Sequence, residues 1–147
     1  MKLETKYFGE IEVQKDEIIK FPDGLPGFED LKEFLFIENP DKEIPFHWLQ
    51  STKEEEIAFV VVNPFMFKKD YEFEIFDYTK EVLKIKDEKE LALFVIVVVP
   101  EDINEMTANL MAPILINTKE KLAKQIVLEK SGYNTKHRII DEIEKTG

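Results

Sequence analysis

Two histidines, His47 and His137, are the first side chains to test for chemistry. Imidazole is the ordinary acid–base group near neutral pH and the commonest metal ligand. The pair stands far apart in the chain, and neither has a second ligand at His-x-x-x-His spacing. His47 precedes Trp48 in an apolar stretch, so a strand there is expected to turn the imidazole outward, opposite the core. Ser51 lacks a Gly-x-Ser-x-Gly setting and is expected to close the turn after Gln50. With 31 carboxylates some close pairs arise by chance, and Glu54, Glu55 and Glu56 read as a solvated run. Gly24-Leu25-Pro26-Gly27 lacks the Gly-Lys-Ser/Thr of a phosphate loop and reads as a turn. Cysteine is absent, which removes thiolate ligands and disulfides together. Neither catalytic residues nor a metal nor an organic cofactor is expected.

What remains is the chemistry of contact. The stretch Met106-Thr107-Ala108-Asn109-Leu110-Met111-Ala112-Pro113-Ile114-Leu115-Ile116-Asn117 carries two side-chain amides and one proline but no acid, base or nucleophile. Burying an amide without partners costs about 1–3 kcal/mol. Asn109, Asn117 and Gln125, all beside apolar strands, therefore either hydrogen-bond to loop backbone or lie on a contact surface. Phe65-Met66-Phe67, directly after Pro64, poses the same choice between core packing and an adaptable apolar docking patch. The candidate contact residues are Phe65, Met66, Phe67, Met106, Asn109, Leu110 and Pro113.

The elements that must position these residues are short strands. Residues 3–13 alternate around Gly9 as a hairpin, and 18–21 form a strand that Pro22 ends. A turn over 23–27 leads to a helical turn at 29–33 and a strand at 34–37. Strands follow at 46–50 and 57–62, where Asn63-Pro64 stops the second, and at 71–76, where apolar and polar residues alternate. Asp77 or Thr79 caps a short helix over 80–85. The most apolar run, 91–99, is β-branched and reads as a strand buried on both faces until Pro100. Further strands are expected at 107–110, 114–116 and 125–128, with a turn or short helical bend at 119–122.

About ten short strands broken by Gly, Pro and Asn predict an all-β, mainly antiparallel, barrel-like fold with one to three short helices. At 147 residues one domain is expected, with a core over about 3–133 and a polar tail over 134–147 ending in a frayed helix. Twelve phenylalanines predict a filled interior, which disfavours a hollow ligand-binding barrel. Twenty basic residues against 31 acidic ones leave a net charge of −11, unsuited to direct contact with nucleic acid. The N-terminus mixes charges where a signal peptide needs an apolar core, and no apolar run reaches the roughly 18 residues of a membrane span. A reducing cytoplasm and no membrane partner are expected.

Four motifs in order narrow the reading. They are Phe21-Pro22-Asp23-Gly24-Leu25-Pro26-Gly27-Phe28-Glu29, Trp48-Leu49-Gln50-Ser51, the 106–117 stretch, and Gln125-Ile126-Val127-Leu128 followed by Tyr133. Over about 3–138 the chain resembles the FliW family of bacterial flagellar assembly factors. That resemblance implies a small cytoplasmic β-barrel-like protein, monomeric when free, which acts by binding other proteins. Its implied partners are newly made flagellin and, once flagellin is exported, CsrA, the dimeric RNA-binding repressor of flagellin translation. The implied role is to chaperone flagellin and to antagonise CsrA. One departure is a stretch over 70–89 richer in Lys than the family leads one to expect. The competing readings are a small-ligand barrel and an enzyme with a convergent pocket near His47 and Ser51.

Overall fold

β-Branched and aromatic residues alternate through the middle of the chain, and the strands they form close on themselves. The computed structural model describes residues 1–129, 131–139 and 141. Its strands are β1 (Lys2–Thr5), β2 (Gly9–Glu12), β3 (Ile18–Lys20), β4 (Glu33–Ile37), β5 (Phe46–Ser51) and β6 (Ala58–Val62). After the helix α1 (Asp77–Val82) come β7 (Leu91–Val98), β8 (Thr107–Ala108), β9 (Ile114–Asn117), β10 (Leu122–Gln125) and β11 (His137–Arg138).

Seven strands, in the order β3-β4-β5-β6-β7-β9-β10, form the barrel, which a parallel β10–β3 contact at Leu122 and Lys20 closes. The Lys20 N–H donates to the Lys121 carbonyl at 2.9 Å across that seam. β7 is long enough to serve two neighbours along one edge: Leu91 to Phe94 pair with β9, and Val97 and Val98 pair with β8. β11 then pairs with the far side of β8.

Alternation sets two faces. Ile19, Phe34, Leu49, Val61, Ile114 and Ile116 fill the lumen, with Phe36, Phe59 and Phe94 packed against them. Their rings interlock, Phe21 with Phe34 at 5.2 Å and Phe36 with Phe94 at 5.1 Å between centroids. A barrel this narrow is a packed core. Outside it, the β1–β2 hairpin lays Leu3 and Val13 over Ile18 and Leu35. A second outer cluster covers β6 and β7, where Val62, Val95 and Val97 meet Phe67, Tyr71, Leu110 and Ile139. β7 is accordingly packed on both faces through Val97, whereas Val98 and Val99 are exposed.

Several local expectations are revised. Residues 29–33 hold no helical turn, because Leu25 and Phe28 bridge and the Leu31 N–H goes to the Phe28 carbonyl. α1 begins at Asp77, three residues early, and no side chain caps it; Thr79 lies inside the helix with its N–H on the Phe76 carbonyl. Residues 71–76 alternate between buried or half-buried and exposed as a strand would but join no sheet. β10 starts at Leu122, because the tight turn after Asn117 puts Leu122 directly opposite it. The sheet continues beyond Tyr133 into β11, and Ile139 is buried, so the packed region outruns position 133. Ile139 and Asp141 are helical, and the rest of the predicted terminal helix lies outside the described residues.

Candidate functional site

The Phe65–Phe67 loop is shaped by the two residues before it. Asn63 accepts the Phe65 N–H on Oδ1 at 2.9 Å, and Pro64 opens a single 3-10 turn, Pro64–Met66. Proline suits that position because its missing N–H would have no partner there. The turn throws Phe65 and Met66 outward, 44% and 62% exposed, and drives Phe67 into the outer cluster at 4%.

Tyr71 ties this loop to the 106–113 stretch. Its ring lies 6.2 Å from Phe65 and 4.8 Å from Tyr133 between centroids, and its hydroxyl donates to the Leu110 carbonyl at 2.5 Å. Burial raises the phenol pKa above its ordinary value, so Tyr71 stays a donor at any physiological pH. Leu110 and Pro113 are themselves buried, which takes their side chains, like that of Phe67, out of the contact surface. Leu110 and Phe67 pack with Val95 and Val97 of β7 in the outer cluster. Met106 and Asn109 are half-buried. The Asn109 N–H reaches the Ile96 carbonyl at 2.9 Å, while its buried Oδ1 has no partner among the described residues.

The other amides belong to the scaffold. Gln125 donates to the Ala112 carbonyl at 2.9 Å, and Asn117 donates to the Leu83 carbonyl after α1 and accepts the Lys119 N–H of the β9–β10 turn. Gln50, 1% exposed, accepts the Lys6 N–H and donates to the Ser51 and Glu55 carbonyls, moulding the loop between β5 and β6. Ser51 accepts the N–H groups of Lys53 and Glu54 on Oγ, closing that turn as expected.

His47 points inward, contrary to expectation. It shares the lumen face with Leu49, its ring 5.3 Å from Phe36 and 6.2 Å from Phe94, and its Nδ1 accepts the Asn39 N–H at 3.0 Å. Trp48 takes the outward place, covered by Tyr7 and Phe8 of the hairpin loop. Burial, only partly opposed by Glu38, lowers the His47 pKa. His47 and Ser51 sit at opposite ends of β5, roughly 13 Å apart at about 3.3 Å per residue. They cannot form a nucleophile–base pair. Among the described residues no group of three or more His, Asp and Glu could hold a metal ion.

A shallow depression of about 230 Å³ at this end of the barrel joins His47 to Met66, Ile44, Pro45 and Asn63, with Glu38, Lys42 and Glu43 also lining it. Exposed Phe65, Met66 and Ile44 thus give an apolar surface next to charged side chains. That composition fits a protein contact better than a reaction centre.

The comparisons agree with this architecture. The family model described as FliW protein matches residues 2–139. The chain belongs to the FliW family. It is 57% identical over 145 residues to the flagellar assembly factor FliW of Alkaliphilus metalliredigens, covering 99% of this chain and 90% of that protein. It is 48% identical over 143 residues to the flagellar assembly factor FliW of Caldanaerobacter subterraneus subsp. tengcongensis, covering 97% and 95% of the two chains. A crystal structure of the flagellar assembly factor FliW matches with a TM-score of 0.89 at 40% identity, covering 95% of this chain and 96% of the other. The closed seven-stranded barrel is thus a FliW-family fold. No helix among the described residues is long and apolar enough to cross a membrane.

Proposed function

We propose that this FliW-family chain is a flagellar assembly factor that acts by binding, taking up newly made flagellin and, when free of it, CsrA. The observation that carries the reading is similarity over nearly the full length, 57% and 48% identity, to proteins named for flagellar assembly. The apolar turn at Phe65 and Met66 supports it, since unassembled filament subunits carry apolar segments that need covering.

The charge supports the second half. An RNA-binding repressor must present basic residues to phosphate, and a partner of net charge −11 is drawn to such a surface. Docked within a Debye length of about 8 Å, its carboxylates also oppose the incoming RNA. Repression is then relieved without filling the RNA site. The protein works in the cytoplasm as a monomer, without metal or cofactor, and turns over no substrate.

Isothermal titration of purified flagellin and of purified CsrA, each into this protein, tests the reading. Saturable binding of both is expected. Absence of binding by either partner overturns that half of the proposal.

A further inference from the structure

Residues 73–76 have the form of a strand without a neighbour. Tyr71 is buried and Phe73 and Ile75 half-buried, while Glu72, Glu74 and Phe76 point to solvent. Among the described residues no backbone N–H or C=O of Phe73, Glu74 or Ile75 is hydrogen-bonded, nor is the N–H of Phe76. The segment's backbone is hydrogen-bonded at the two ends, by the Tyr133 hydroxyl on Glu72 and by the first turn of α1 on the Phe76 carbonyl, while the Phe73 ring packs 5.4 Å from Tyr71 between centroids.

A groove of about 930 Å³ separates this segment from residues 124–129. There Ile126 and Leu128 spend their N–H groups on the Pro113 and Met111 carbonyls at 3.0 and 2.7 Å. Backbone alternation turns Val127 the other way, and its N–H and C=O are unbonded among the described residues. The groove therefore lies between two alternating segments that both carry peptide groups unspent among the described residues. Its apolar lining includes Phe73, Phe76, Tyr78, Ile126, Val127 and Leu128. Three exposed carboxylates line it, Glu72, Glu74 and Glu129, and none is in an ion pair among the described residues. Lys124, also in the lining, is already held by Asp23 at 2.6 Å.

We propose that this groove takes up an extended segment of a partner protein as an added strand, in which apolar residues alternate with Lys or Arg. A helix bonds its own backbone and leaves these peptide groups as they are, whereas a strand satisfies the alternate ones along the edge it meets and sets its own side chains on two faces. The carboxylates select a basic segment and repel nucleic acid; a second copy of this chain, also at −11, is disfavoured for the same reason. The site stands apart from the Phe65–Met66 turn and does not depend on which partner uses either.

A phage-displayed random dodecapeptide library panned on the full chain provides the probe. Enriched peptides are expected to alternate apolar and basic residues and to slow amide exchange by about tenfold or more at Val127 and at whichever of Glu74 and Ile75 faces the added strand, since neighbouring N–H groups point to opposite edges. Val127→Pro deletes an unspent N–H at an exposed position and is expected to weaken those peptides about tenfold. Glu74→Lys combined with Glu129→Lys, which leaves the backbone alone, is expected to do the same and keeps the test valid if the proline variant misfolds. Failure to enrich any peptide overturns the proposal. So does enrichment of peptides that leave these amides fast, whether they bind as helices or elsewhere, or that bind the charge-reversed variant as well as the parent.

Discussion

The buried Asn117 side chain donates from Nδ2 to the Leu83 carbonyl at 2.7 Å, and its Oδ1 accepts the Lys119 and Glu120 N–H groups at 3.0 and 3.1 Å. One amide thereby fastens the end of α1 to the β9–β10 turn, next to the seam that closes the barrel. Asn117→Leu keeps the volume but strands those backbone groups, and a loss on the order of 3 kcal/mol is expected. Urea unfolding checks it, and near-parental stability would show that the turn holds itself.

Gly24 faces a different constraint. Its φ is +67°, and a Cβ there would stand 2.5 Å from the Glu29 carbonyl oxygen. Backbone cannot move aside as a flexible side chain can. Left-handed geometry alone costs a non-glycine residue about 1–2 kcal/mol, and the overlap adds to it, so Gly24→Ala is expected to destabilise by more than about 2 kcal/mol. Gly27, also at positive φ but with open space around its Cβ position, is the control: Gly27→Ala carries the conformational cost alone. Equal losses in the two variants would contradict the close-approach argument.

His47 supplies a pH signature. Burial lowers its folded pKa below the ordinary value of 6.5, so the unfolded chain takes up the proton first as pH falls. This group's contribution is fully present above 6.5, declines as pH drops through that value, and levels off below the folded pKa. Thermal unfolding at pH 7.5 and 5.5 is expected to show a fall in Tm that His47→Gln reduces. An identical fall in the variant would assign the pH response to other groups.

Much of the barrel was legible because period-2 alternation survives wherever one face of a strand is apolar. It failed at His47-Trp48, where both faces are covered and polarity no longer tells inside from outside. Tyr71 to Phe76 alternates as a strand should, yet pairing depends on a neighbour that local sequence does not name. β11 was missed because His137-Arg138 is polar and only two residues long, its place set by β8. At the candidate surface, Phe-Met-Phe marked the loop, but which ring turns inward follows from Pro64 and the 3-10 geometry. Tyr71, the residue that joins the two candidate stretches, carried no signal beyond being an aromatic in an alternating run.

The exposed turn predicts a kinetic split. Truncating a central apolar anchor typically costs about 2 kcal/mol or more, roughly thirtyfold in lifetime. Met66→Ala and Phe65→Ala are expected to shorten the complex with flagellin or CsrA to that degree while the fold survives. Salt raised from low to physiological levels should instead slow CsrA association, as screening of long-range steering requires. Surface-plasmon kinetics separate the two effects. Parental off-rates in both variants would move the contact away from this turn.

The central claim is that flagellin and CsrA exclude one another on this protein. Isothermal titration of CsrA into the preformed flagellin complex measures it directly. The account predicts that CsrA affinity falls as flagellin occupancy rises and recovers when flagellin is left out. Unchanged affinity for CsrA at saturating flagellin would contradict it.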